Sequence, residues 1–132
     1  MSIHKVLARF EKQIYALLRI VAGFLFIWHG IQKVVAMANG NMPTNDMWML
    51  LAAAIETIGG FLIIIGWLTE WAAFISSGQM AIAYFKAHAP QGLLPINNNG
   101  ELAVIFAFVF LYIVARGPGI WSIDHALRKK KR

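Results

Sequence analysis

Along the 132-residue chain the apolar residues gather into four long runs, at about 14–38, 47–68, 71–87 and 101–116, separated by short polar stretches. The hydrocarbon layer of a bilayer is about 30 Å thick and a helix rises about 1.5 Å per residue, so a span needs about 20 apolar residues. The runs are continuous and lack the alternation of a membrane β-strand, so helices are expected rather than a barrel. The fourth run is short and must start earlier or thin the bilayer locally. The expected fold is an all-α membrane protein, one domain over 1–132 built as a four-helix transmembrane bundle.

Polar and small residues within each run repeat at steps of three and four, which places them on one face of a helix. The first run gives Arg19, Gly23, Phe26, Gly30 and Lys33, with His29 beside them. The second gives Ala52, Glu56, Gly59, Ile63 and Gly66. The third gives Ala72, Ser76, Gln79, Ala83 and Lys86, and the fourth Glu101, Ile105, Phe108, Tyr112 and Ala115. Small residues on such stripes let membrane helices approach closely. Ionisable residues on them must face the bundle interior, because a charge facing lipid costs about 3 kcal/mol on insertion scales. A bundle with a polar interior follows.

Both flanks continue the pattern. Ile3, Val6, Leu7, Phe10 and Ile14 recur at helical spacing opposite Lys5, Arg9 and Lys12, which predicts an amphipathic extension at the membrane interface. After the fourth run, Gly117 and Pro118 stop the helix, Trp121 suits the interface, and Ser122 can cap a short interfacial helix through His125. Between the third and fourth runs, QGLLPI offers Leu93, Leu94 and Ile96 as a segment folded onto the bundle mouth. Asn98, three residues before Glu101, reads as a capping box for the fourth helix.

Composition agrees with the pattern: 59% of residues are hydrophobic, 14% are charged and the mean hydropathy is +0.62. The first run is too long, and with Arg19, His29 and Lys33 too polar, to read as a cleaved signal peptide. With no cysteine, thiolate chemistry and Cys-ligated zinc or iron–sulfur sites have no ligands in this chain. The net charge of +6 and the closing RKKKR raise the question of nucleic acid, but they read instead as a topology anchor that touches anionic lipid. Basic residues cluster before the first run and after the fourth, and the loop 66–70 has none, so both termini are expected in the cytoplasm.

Candidate chemistry sits toward the outer half. With the first helix running outward and the second inward, His29 and Glu56 each fall roughly 14 Å below the outer end. An ionised carboxylate at that depth must find a cation or keep its proton, and His29 or Lys33 can supply the partner. Arg19, near the opposite surface, could instead snorkel to the headgroups. His4, His88 and His125 fall at membrane edges, so no metal or haem ligand set converges and no cofactor motif is present.

The succession LLRIVAGFLFIWHGIQK, AAAIETIGGFLIIIGWLTEWAAF, NNNGELA and YIVARGPGIWSID, over roughly 17–124, resembles the DoxX family of small bacterial four-helix membrane proteins. The specific features are HGxxK, ExxGGxxLxxG, NGE and GPGxWSxD in that order; Asn99 stands where the family often has glycine. The resemblance implies an inner-membrane protein linked to respiratory or sulfur-related redox chemistry, similar to subunits of a thiosulfate:quinone oxidoreductase. It nominates His29, Lys33, Glu56, Asn99 and Glu101 as site positions, to which the stripes add Gln79 and Tyr112. The leading expectation is a quinone-linked redox component in which His29 and Glu56 handle protons and Lys33 orients a carbonyl oxygen. Gln79, Asn99, Glu101 and Tyr112 would contact the bound molecule, with electrons coming from a protein partner. The alternatives are a noncatalytic accessory subunit of a larger membrane complex, and a permease for a small solute or protons.

Overall fold

The computed structural model describes residues 2–130. Among them every regular element is helical, as the continuous apolar runs require. The chain opens with α1 (Ile3–Leu7), passes through a 3-10 turn (Ala8–Phe10) and continues as α2 (Glu11–Ala38). Next come α3 (Met47–Ala54), a π-helical turn (Ile55–Gly59) and α4 (Gly60–Ile65), which together form one rod. Helix α5 (Thr69–Ala83) is prolonged by a second π-helical turn (Tyr84–His88) and a 3-10 turn (Ala89–Gln91); α6 (Glu101–Arg116) and α7 (Ile123–Lys130) complete the chain.

Two stretches, Ile3–Ala38 and Met47–Ile65, are long and apolar enough by length and composition to cross a membrane. The amphipathic extension is helical, α1 leading through its 3-10 turn into α2 with no loop between them and with Phe10 at the junction outside helical backbone angles. The C-terminal helix runs past the expected His125 to Lys130, and the last two residues of RKKKR lie outside the described residues.

Helix α2 packs along the α3–α4 rod, and α5 packs along α6. Two glycines make the first contact close. A Cβ on Gly30 would meet the backbone of Glu56 and Thr57, and one on Gly60 would meet the backbone of Ile27. The aromatic residues Phe26, Phe106 and Phe110 interlock across the middle with ring centroids 4.7 to 5.4 Å apart. Phe26, Ile63, Phe110 and Ile113 are fully enclosed there and form an apolar floor.

The predicted stripes hold on three helices and fail on the fourth. Arg19, Gly23, Phe26 and Gly30 are buried on α2, as are Ala52, Glu56, Gly59, Ile63 and Gly66 on the rod. On α5, Ala72, Ser76 and Gln79 are buried, while Lys86 beyond it is exposed. On α6 the buried residues are Ala103, Phe106, Phe110 and Ile113; Glu101, Ile105, Phe108, Tyr112 and Ala115 all face outward. The polar residues of α6 lie near its ends, where the interface tolerates them on the outer face, so they do not mark its inner side.

Candidate functional site

The two ends of the molecule each bury a charge. At the end carrying the termini, Arg19 is completely enclosed, which corrects the expectation that it snorkels. Its guanidinium donates to the carbonyls of Ile63 at 2.5 Å and Ile64 at 2.8 Å, and to those of Trp121 at 2.7 Å and Ile120 at 3.4 Å. The first two carbonyls belong to the last turn of α4, which leaves such groups without partners in the helix. Gly66 ends that turn in the left-handed conformation, packed against Ser122.

The segment GPGIWSID covers this end. Tyr15 donates its hydroxyl proton to the Gly117 carbonyl at 2.5 Å, and Gly119 lies against the Tyr15 ring. Asp124 accepts from the backbone N–H of Leu68 at 3.1 Å and of Thr69 at 2.9 Å, and from the Thr69 hydroxyl at 2.8 Å, and so caps the start of α5 from a distant part of the chain. Ser122 accepts from the N–H of His125 at 3.2 Å, the cap expected of it. Tyr112 belongs to this end, edge-on to Tyr15 at 5.8 Å, far from the other candidate residues.

At the opposite end lies a cavity of about 350 Å³ whose wall includes Phe26, His29, Lys33, Trp48, Glu56 and Gln79, with His88, Asn99 and Phe106. Glu56 is 2% exposed, on the π-helical turn between α3 and α4. An extra residue in that turn shifts the register of the helix, as π-bulges do. Lys33 donates to Glu56 Oε2 at 2.5 Å and Gln79 Nε2 donates to Oε1 at 3.1 Å. The carboxylate thus ties α2, the rod and α5 together. An ionised Glu56 can only accept, so Gln79 turns its amide nitrogen toward it; Gln79 Oε1 is then left buried without a partner.

The cation that answers Glu56 is therefore Lys33. His29 makes no hydrogen bond among the described residues; its ring stands edge-on to Phe106 at 6.1 Å. Asn99, at the mouth, is held in the left-handed conformation at φ 58°. Glu101 faces outward on the first turn of α6 and does not border the cavity. Of the candidates, the fold gathers His29, Lys33, Glu56, Gln79 and Asn99 around one space and leaves Glu101 and Tyr112 away from it.

A family model described as DoxX matches residues 14–89, more than half of the chain. The chain belongs to the DoxX family. A Haemophilus influenzae relative named "Uncharacterized protein" is 41% identical, covering 94% of this chain and 98% of its own. The "Inner membrane protein YqjF" of Escherichia coli is 31% identical over 85% of this chain and 90% of its own. The "Putative oxidoreductase CatD" of Bacillus subtilis is 25% identical over 88% of each. No solved structure matches. With its family and relatives, this is a membrane protein.

Three features of the DoxX chain depart from the sequence reading near the cavity. No capping box forms: Gly100 stands at the head of α6 without a side-chain cap, and the buried Asn98 staples the preceding loop. It donates to the Gly92 carbonyl at 2.7 Å and the Tyr84 hydroxyl at 3.3 Å, and accepts from the Gly100 N–H at 2.9 Å. Leu93, Leu94 and Ile96 do not fold inward over the mouth; they are 89, 57 and 71% exposed, and the cavity stays open above Asn99. His88 joins the cavity wall instead of resting at the edge, its Nδ1 3.0 Å from the Asn98 carbonyl oxygen. Its position depends on the π-helical turn after α5, which periodicity does not announce.

Proposed function

We propose that this DoxX protein crosses the bacterial inner membrane four times with both termini in the cytoplasm, and that its outer cavity binds a quinone or a similar small lipophilic molecule. It would act as one component of a membrane redox complex. The basic residues of α1 and α7 at one end support the orientation, and the name of the Escherichia coli relative supports the inner membrane. In this reading α5 with its extension and α6 are the third and fourth spans of an α2, α3–α4, α5, α6 bundle, with α1 and α7 as interfacial helices.

The cavity carries the reading. A space of about 350 Å³ lies within the range of small-molecule sites, mostly apolar with a few convergent polar groups. Lys33 keeps N–H groups beyond the one given to Glu56 and can donate to a carbonyl oxygen. His29, without a partner, can donate or accept a proton at the same wall, and Glu56 can exchange one through Lys33. The orphaned Gln79 Oε1 accepts from a hydroxyl, and Asn99 guards the mouth. A bound quinone supplies the capacity to take up two electrons and two protons; the electrons come from a protein partner, since this chain carries no recognisable redox motif. The name of the Bacillus subtilis relative is consistent with oxidoreductase chemistry.

A second reading has one observation in its favour. Lys33, Glu56 and Gln79 join three helical segments, as a purely structural accessory subunit would need. Variants separate the two: His29→Ala and Glu56→Gln are expected to stop quinone-dependent turnover in membranes that still contain the assembled complex. Unchanged turnover would defeat the catalytic reading, and loss of assembly would favour the accessory one. The apolar floor of Phe26, Ile63, Phe110 and Ile113 between the cavity and the far end argues against a permease path.

A further inference from the structure

A second void adjoins the cavity. Between α5 and α6 a cleft of about 360 Å³ is bordered by Ala81, Tyr84, Ala103, Ala107, Phe108 and Leu111. Its only aliphatic hydroxyl, Ser77 Oγ, is spent on the Ala107 carbonyl at 2.7 Å. The Tyr84 hydroxyl is likewise engaged, donating to the Leu93 carbonyl at 3.1 Å. The cleft therefore presents no free polar side chain and suits neither water nor a polar headgroup.

Its position gives it an occupant. Ala103 lines both the cleft and the polar cavity, so only the smallest chiral side chain stands in the wall they share. The same junction falls at the π-helical turn Tyr84–His88, with Ala83, Ala87 and His88 on the cavity side and Tyr84 and Phe85 on the cleft side. From Ala103 to Leu111 the cleft follows α6 for about 12 Å. Phe85 and Phe108, at 70 and 67% exposure, flank it on the lipid-facing surface.

We propose that the molecule bound in the cavity is an amphiphile with one long apolar tail, and that the tail leaves sideways through the α5–α6 cleft into the bilayer. This rests on the reading of the cavity as a ligand site. The headgroup meets Lys33, His29 and the unpartnered Gln79 Oε1, and the tail passes Ala103 and lies along Ala107. Lipid chains are as apolar as the cleft, so the cleft adds little attraction; it supplies room. Filling it should exclude tailed molecules and spare tailless ones.

The test uses the whole chain in lipid nanodiscs and follows Trp48, which borders the cavity, by fluorescence quenching with a Trp48→Phe control. The probes are a methylated benzoquinone without a tail and the same ring with a decyl tail. Ala107→Phe is expected to weaken the decyl compound by about tenfold or more, the scale of a misfit in an apolar pocket, and to change the tailless one by less than about twofold. Ala81→Leu, at an outward-facing position, gives a second variant should the first fail to fold. Equal binding of both probes to wild type and variants would overturn the tail route and leave the cavity reading standing. No binding of either probe to wild type would overturn both.

Discussion

Arg19 and Glu56 are both buried charges on inward stripes, yet their surroundings differ in kind. Arg19 donates through its two terminal nitrogens to four backbone carbonyls, its Nε staying buried without a partner. Glu56 is held by two side chains, Lys33 and Gln79, and stands in the wall of an open space beside an uncommitted histidine. Burial of a charge is thus not itself the mark of a site. Carbonyl partners fixed by the main chain make a lock; side-chain partners, which can turn about their own bonds, leave a group beside a cavity able to respond to a ligand.

Removing the lock should have the largest effect on stability. Arg19→Leu strips the last turn of α4 and the 117–122 segment of their donors at once, and each buried carbonyl left without a partner costs about 1–3 kcal/mol. Most of the folded protein should be lost in a denaturant titration in detergent. Asp124→Ala removes the cap of α5 and should cost about 1–2 kcal/mol by the same titration, with ligand binding by the remaining folded protein unchanged. A binding defect in folded Asp124→Ala would blur the contrast between the two ends.

Gly30→Ala tests how the cavity end is assembled. The added Cβ would press on the backbone of the π-helical turn, so α2 must move away from Glu56. A destabilisation of about 1–3 kcal/mol is expected, together with weaker quinone binding. His29→Ala should have the smallest effect on stability, within about 1 kcal/mol, because the ring makes only an edge contact with Phe106. Its effect should appear in binding and turnover. A large loss of stability here would make His29 a fastener rather than a ligand group.

These outcomes bear on how much the sequence could reveal. The all-helical class, the stripes of α2, the rod and α5, and the pairing of Glu56 with a cation from α2 were legible because each follows from helical periodicity and the cost of an unpaired charge in an apolar interior. Tyr112 and Glu101 misled because a polar residue near a helix end carries no information about which face is inward. Asp124 as a cap for α5 was invisible for another reason: its partners Leu68 and Thr69 lie more than fifty residues away, and such a cap has no local signature. The two π-helical turns escaped too, since each changes the register of a helix without interrupting its hydrophobicity. Arg19 was legible as a residue but not as a lock, because its partners are carbonyls, which every residue has.

The most direct test of the difference between the two ends is the quinone carried through mild-detergent purification, measured by mass spectrometry of the organic extract. Wild type and folded Asp124→Ala protein are expected to retain it in equal amounts, and Glu56→Gln protein to lose it. Equal retention by Glu56→Gln, or no quinone with any of the three, would contradict the assignment of the cavity as the working end of the molecule.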